Sequence, residues 1–231
     1  MSYPLISSRV AEVRDRIAAA SARAGRDAAE VTIIAVTKTH PASAVEAVRG
    51  AGIRDVGENR VQEMEAKVAS VGKLDLRWHL IGHLQRNKVK KAIELADFIH
   101  SIDSVRLAKR LSEDAGDKGT TLEALIQVNV AEEGSKGGLA PAAALDEIAE
   151  ICSLPGLRIT GLMSMAPFVE DEGVVRSAFA ATRRIRDDAA SLPGFEARHL
   201  SMGMSGDFEV AVEEGSTLVR LGTVLLGERT S

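Results

Sequence analysis

The sequence predicts an α/β fold, and within that class a (β/α)8 TIM barrel. Three observations predict it. Short apolar runs rich in β-branched residues alternate with longer amphipathic stretches, eight times over 231 residues. The best marked of them, in VTIIAVTKTH, places Val31, Ile33, Ile34, Ala35 and Val36 within six positions and is closed by Pro41, the pattern of a parallel strand buried on both faces. No stretch rich in Pro, Gly or Ser divides the chain, so residues 1–231 read as one domain, close to the roughly 250 residues usual for such a barrel.

An additional amino-terminal helix comes first. Ser7 or Ser8 can cap it, Ile6, Val10, Val13 and Ile17 form its apolar stripe, and Gly25 ends it. Strand one leads to Lys38, and a helix follows over 42–51. The second strand is read at 53–56, with its helix in GENRVQEMEAKVASVG. The third is RWHLI (77–81), with a helix over 85–96, and the fourth is 98–101, with Ser104 capping VRLAKRLSEDAG. Strands at 122–130, 157–162, 197–200 and 217–221 complete the set, with helices over 141–153, 171–190 and 206–214 between them. No full helix follows strand eight, so the amino-terminal helix is expected to cover the gap beside it. A doubly wound open sheet is the alternative, but eight regular units favour closure.

Composition narrows the function classes. Net charge is −4 and aromatic residues make up 3%, which argues against a nucleic-acid surface. The one cysteine, Cys152 in EIAEICSL, reads as a core helix residue and suits a reducing compartment. MSYPLISSRVAEVRDRI is broken by charge too early for a signal peptide, and no apolar run approaches the ~18 residues of a membrane span. A cytoplasmic protein that contacts neither membrane nor nucleic acid is expected.

In a barrel the loops after the strands gather at one mouth and carry function. With side chains alternating along strand one, Lys38 shares a face with Ile34 and Val36. It either marks the strand's exit into water or presents an amine at the mouth. SMGMSGD after strand seven and RLGT after strand eight combine glycines with hydroxyls, a composition that suits a phosphate cradle at the barrel's habitual phosphate position. The same residues also make ordinary turns. A lysine and a phosphate cradle in one mouth suggest a phosphorylated aldehyde held as a Schiff base. Burial lowers a lysine's pKa and frees its amine. Pyridoxal 5′-phosphate (PLP) and sugar-phosphate aldehydes both meet that description.

The segments AVTKTH, VGENRVQE, WHLIGHLQRNK, HSIDSVRLA, QVNVAEEGSKGGL, GLMSMAP, SMGMSGDFEVAVEEGSTLVRLGT and the closing GER, in that order, resemble the YggS/PROSC family of pyridoxal phosphate homeostasis proteins. That family is similar in fold to the barrel domain of alanine racemase. The resemblance implies PLP on Lys38 as a Schiff base, with the phosphate at Ser201 and the Gly222-Thr223 turn. It implies Arg220 facing the pyridine nitrogen, and Asn59, His79 and Met163 lining the pocket. VLLGER departs locally, with leucine where many members carry an aromatic residue. The resemblance further implies a carrier or buffer of PLP in vitamin B6 and amino-acid homeostasis, with apo PLP-dependent enzymes as candidate partners.

An amino-acid racemase is the alternative. It needs an acid/base group on each face of the α-carbon, which alanine racemase completes with a tyrosine and an additional β-domain. The chain here runs out soon after strand eight and its only tyrosine is Tyr3, so a non-catalytic monomer is expected. His79 and His83 have the i, i+4 spacing of a zinc pair but straddle a strand and a loop across Gly82, which argues against a metal. QRNKVKK reads as a solvated helix face. Lys136, in GSKGGL, either reaches over the mouth or lies in a solvated turn. Asp207 reads as a helix cap and not an acid catalyst.

Overall fold

A computed structural model describes residues 3–131 and 137–227. Eight parallel strands close into a barrel in sequence order: β1 (Thr32–Val36), β2 (Asp55–Glu58), β3 (Arg77–Leu80), β4 (Phe98–Ile102), β5 (Leu122–Gln127), β6 (Leu157–Met163), β7 (Phe195–Ser201) and β8 (Leu218–Leu221). Closure is made by β1 and β8, with Thr32 opposite Leu218 and Ile34 opposite Arg220. The open-sheet alternative therefore falls. Around the barrel lie α1 (Ile6–Arg23), α2 (Ser43–Gly50), α3 (Val61–Val71), α4 (Val89–Leu95), α5 (Val105–Asp117), α6 (Ala144–Cys152), α7 (Glu172–Ala189), α8 (Phe208–Glu213) and α9 (Thr223–Leu226).

Most of the core lies between the outward faces of the strands and these helices, where Trp78, Phe179 and Phe208 are fully buried. Burying such side chains contributes about 1.5–3 kcal/mol each. The interior apolar set is small: Ile34, Phe98, Leu125, Met163 and Leu218. The remaining interior positions are largely polar, His79, His100, Ser201 and Arg220 among them.

The expected role of the amino-terminal helix holds. α1 packs against α8 and α9 beside β8. Arg16 pairs with Glu209 at 2.8 Å, and Arg26 donates to the Val212 and Ser216 carbonyls at 2.6 and 3.1 Å. Its start differs from the sequence reading. Ile6 opens the helix, so Ser7 and Ser8 lie within the first turn, and Ser8 donates back to the Leu5 carbonyl. Gly25 follows the helix with φ +66°, a conformation that glycine adopts without strain.

Other boundaries move for identifiable reasons. The second strand begins at Asp55 because the Ile53 N–H bonds back to Val48, closing the turn after α2. β5 stops at Gln127, not 130, because Leu139 donates to the Gln127 carbonyl and accepts from Asn129, inserting itself where the ladder would continue. Single 3-10 turns at Arg86–Lys88 and Pro141–Ala143 precede α4 and α6. Ser104 caps α5 as expected, accepting from the Leu107 N–H at 3.3 Å. Cys152 ends α6 half-buried, and burial pushes its thiol up to about 11.

Candidate functional site

The carboxyl ends of the strands surround a cavity of about 1440 Å³. Strand alternation brings Lys38 to it: Ile34 belongs to the interior apolar set, and Val36 and Lys38 line the cavity above it. The turn that carries Lys38 is braced. Thr39 has φ +66°, and its N–H donates to Glu63 Oε2 at 3.1 Å. Behind the strand end, Lys67 Nζ donates to the Thr37 carbonyl, and the Thr37 hydroxyl donates to Glu58. The only tyrosine, Tyr3, places its hydroxyl 3.2 Å from His40 Nδ1, and it is His40 that lines the cavity.

Ser205, Gly206, Gly222 and Thr223 line the same cavity from the loops after β7 and β8, the latter strand paired with β1. The Ser205 hydroxyl accepts from the Gly222 and Val224 amides at 3.3 and 3.4 Å, which ties the loop after β7 to the one after β8. Thr223 opens α9, so its N–H has no intrahelical acceptor. Asp207 Oδ1 accepts from the Met204 N–H at 2.5 Å. It braces this loop and does not cap α8 through its side chain, as the sequence suggested. Burial raises its pKa.

Arg220 enters from β8. Its guanidinium donates to the Ser201 carbonyl and hydroxyl at 2.6 and 2.7 Å and to the Ser164 carbonyl at 2.9 Å. Three of the five N–H groups of a guanidinium are thereby used, and Arg220 also lines the cavity. Burial lowers its pKa to about 10, which leaves it a cation at neutral pH.

Of the eight residues singled out from the sequence, five line this cavity: Lys38, Asn59, Arg220, Gly222 and Thr223. His79, Met163 and Ser201 do not. They form the layer beneath, fully or almost fully buried. His79 bonds Asp55 and His100, Met163 joins the interior apolar set, and Ser201 is held by Arg220 and His100. The reason is the two-residue period of a strand. The positions that reach the cavity lie one period further on, at Ile81 after His79 and at Met165 after Met163. Ser205, further along the loop from Ser201, is the serine beside the Gly222 amide. Gln127 and Asp207 also line the cavity, as do Arg23 and Arg176 at its outer wall, where both pair with Glu213 at 2.6 and 2.7 Å. No local motif marks those two arginines. On the rim, Phe168 is fully exposed and Val169 half so.

The remaining sequence candidates are dispersed. His83 is exposed and pairs with Asp103, not with His79. Among the described residues, no group of three or more His, Cys, Asp or Glu side chains is placed to hold a metal ion. Lys91 of QRNKVKK pairs with Glu65 and Glu94 on the helix exterior. Lys136 and the closing Glu228 and Arg229 lie outside the described residues.

Comparison with known proteins agrees with this geometry. The family described as alanine racemase, N-terminal domain, matches residues 9–230. The chain is 40% identical over 221 residues to a pyridoxal phosphate homeostasis protein of Aquifex aeolicus, covering 96% of this chain and 97% of the relative. It is 42% identical over 233 residues to the protein of that name from Escherichia coli K12, covering 97% of both. PipY of Synechococcus elongatus, solved with PLP bound, superposes with a TM-score of 0.85 at 39% identity, over 96% of this chain and 100% of that one. Alanine racemase from Corynebacterium glutamicum shares the fold at 14% identity, with a TM-score of 0.73, over 94% of this chain but only 61% of its own. The chain belongs to the alanine racemase N-terminal domain family and, within it, to the pyridoxal phosphate homeostasis proteins.

Proposed function

We propose that this chain is a cytoplasmic PLP-binding protein that holds the coenzyme as a Schiff base on Lys38. In this reading it carries or buffers PLP, serves vitamin B6 and amino-acid homeostasis, and has no efficient catalysis of its own. One observation carries the reading: Lys38, the Ser205–Gly222–Thr223 cradle and Arg220 line one cavity. PLP bound there supplies an aldehyde for a lysine amine and an electron-withdrawing ring. The residues present fit it. Thr223 offers an amide and a hydroxyl, and Ser205 a hydroxyl, for a phosphate on the turn that Gly222 shapes. Arg220 offers N–H groups toward a ring nitrogen while its other donors are fixed to Ser201 and Ser164. Asn59 completes the wall next to Lys38. The name its relatives bear, and PLP in the PipY structure, support the same ligand.

Arg220, cationic beside a ring nitrogen, disfavours its protonation and weakens the ring as an electron sink. The sole tyrosine is engaged with His40 behind the cavity wall. The arginine alone does not separate a holder from a racemase; the engaged tyrosine supports a holder. The same reading takes residues 1–231 as one PLP-binding barrel, monomeric, with apo PLP-dependent enzymes as recipients and without nucleic-acid partners. Among the described residues no helix is long and apolar enough to cross a membrane.

The test is direct. Protein incubated with PLP should turn yellow, absorbing near ~420 nm, and borohydride should fix the label on the peptide containing Lys38. Lys38→Ala should stay colourless while folding normally. A label on another lysine, or a wild-type protein that never colours, would overturn the site. Sustained deuterium exchange at the α-carbon of amino acids would overturn the carrier role. Faster PLP delivery to apo-enzymes from the loaded protein than from free PLP would support it.

A further inference from the structure

Beneath the cavity, five polar side chains from five strands follow one another through the barrel. Asp55 Oδ1 lies 2.9 Å from His79 Nε2, His79 Nδ1 lies 2.9 Å from His100 Nε2, and His100 Nδ1 lies 2.9 Å from Ser201 Oγ. Arg220 then donates to that same Oγ at 2.7 Å. His79, His100 and Ser201 are wholly buried, whereas Asp55, the first residue of β2, retains 19% of its side-chain exposure at the opposite end of the barrel from the cavity.

We propose that Asp55, His79, His100 and Ser201 form one directed hydrogen-bond chain that fixes Arg220 as a donor toward the cavity. They are positioning residues, and they set how the guanidinium meets a bound ring. That what it meets is a pyridine nitrogen rests on the functional reading above; the chain itself does not.

Its direction follows from counting donors and acceptors. Arg220 has only donors, so Ser201 Oγ accepts from it. Asp55, as a carboxylate, only accepts, so His79 carries its hydrogen on Nε2. Neutral His79 then offers a lone pair at Nδ1, and His100 must present Nε2–H to it. The Nδ1 of His100 is left as the acceptor for the Ser201 hydroxyl. Every link is satisfied when both rings are neutral, the state that burial among Arg77, His199 and Arg220 also favours. A proton added to either ring would turn His100 Nδ1 into a donor aimed at Ser201. The serine hydrogen would then lose its acceptor in a buried place, which is costly. Apolar neighbours confine the path: the Phe98 ring packs against His79, His100 and His199 at centroid distances of 5.4, 4.6 and 5.9 Å.

The test uses the whole chain with its histidines labelled with nitrogen-15, without PLP. Long-range proton–nitrogen correlation spectra at neutral pH should show both His79 and His100 as single Nε2–H tautomers. Asp55→Ala should abolish that pattern at His100, which Asp55 does not touch, as well as at His79. Asp55→Asn, whose amide oxygen still accepts, should retain it. An Nδ1–H tautomer at either ring, or an Asp55→Ala protein with an unchanged His100, would overturn the chain. Should Asp55→Ala fail to fold, Ser201→Ala breaks the link next to Arg220: it should shift His100 Nδ1, and Ser201→Thr should restore it. With PLP added, the Asp55→Ala protein should bind it several-fold more weakly and with a shifted absorbance maximum, whereas Asp55→Asn should match wild type. If the tautomers are as stated and the wild type binds no PLP, the chain stands and the functional reading falls.

Discussion

Lys67 and Glu58 form a buried ion pair behind the Lys38 strand end, with Nζ 2.5 Å from Oε1. Glu58 is wholly buried and Lys67 nearly so, and Nζ also reaches the Thr37 carbonyl at 2.6 Å. Burial pushes the Glu58 carboxyl up, and Lys67 opposes that shift. Among the described residues Glu58 Oε2 has no hydrogen-bond partner, so Lys67, with the Thr37 hydroxyl, keeps this carboxylate tolerable. Lys67→Met should cost about 3–5 kcal/mol in urea denaturation, because it leaves a charge buried and unpaired. Lys67→Met with Glu58→Gln should recover much of that loss. A single variant as stable as wild type would show that the pair carries no such weight.

Gly161 lies at a register shift in the pairing of β6 with β7, at φ +154°. A Cβ there would overlap the His199 carbonyl oxygen, part of a backbone that cannot rotate away. Gly161→Ala should therefore separate two strands or displace the ladder, at roughly 2–4 kcal/mol. The midpoint of chemical denaturation reads this directly. Gly206→Ala serves as the control, since nothing lies within 4 Å of its Cβ position.

The fold was legible because a barrel repeats one local unit, and each unit carries its own period. β1 illustrates it: apolar side chains on both faces, then Lys38 one step beyond the buried run. Depth inside the barrel was not legible in the same way. His79, Met163 and Ser201 belong to the right strands but stop one period short of the cavity, and a motif shows residue types without showing their layer. The β5 boundary failed for a different reason, because Leu139, far along the following loop, takes over the ladder bonds of Gln127 and Asn129. The Asp55–Arg220 chain is invisible locally, since its members come from five strands with no shared spacing.

The barrel histidines make stability depend on pH. Burial holds His79 and His100 below the ordinary imidazole value, and His199 at about 4. The unfolded chain therefore takes up protons below about pH 6.5 that the folded chain does not. Stability is then full above that pH and falls as pH drops. The slope is about 1.4 kcal/mol per pH unit for each of His79 and His100 that stays neutral. Glu58 and Asp207, raised by burial, act in the opposite sense as pH falls. The contribution of one ring is thus best read as a difference. His79→Gln should flatten the slope below pH ~6.5, and equal slopes would contradict it.

The cradle should sense phosphate separately from the lysine. Ser205→Ala removes a hydroxyl that accepts from two amides of the loop after β8. PLP binding should weaken by about 1 kcal/mol, roughly fivefold, while pyridoxal without its phosphate is affected less. Fluorescence titration with both compounds separates the cases, and an equal loss for the two would remove Ser205 from the phosphate site.

The cavity at the barrel mouth, about 1440 Å³, exceeds the ~300–1,000 Å³ that usually encloses a small ligand. If PLP is held on Lys38 as proposed, a mouth this wide leaves the imine open to an incoming amine, and release would quicken as amine concentration rises.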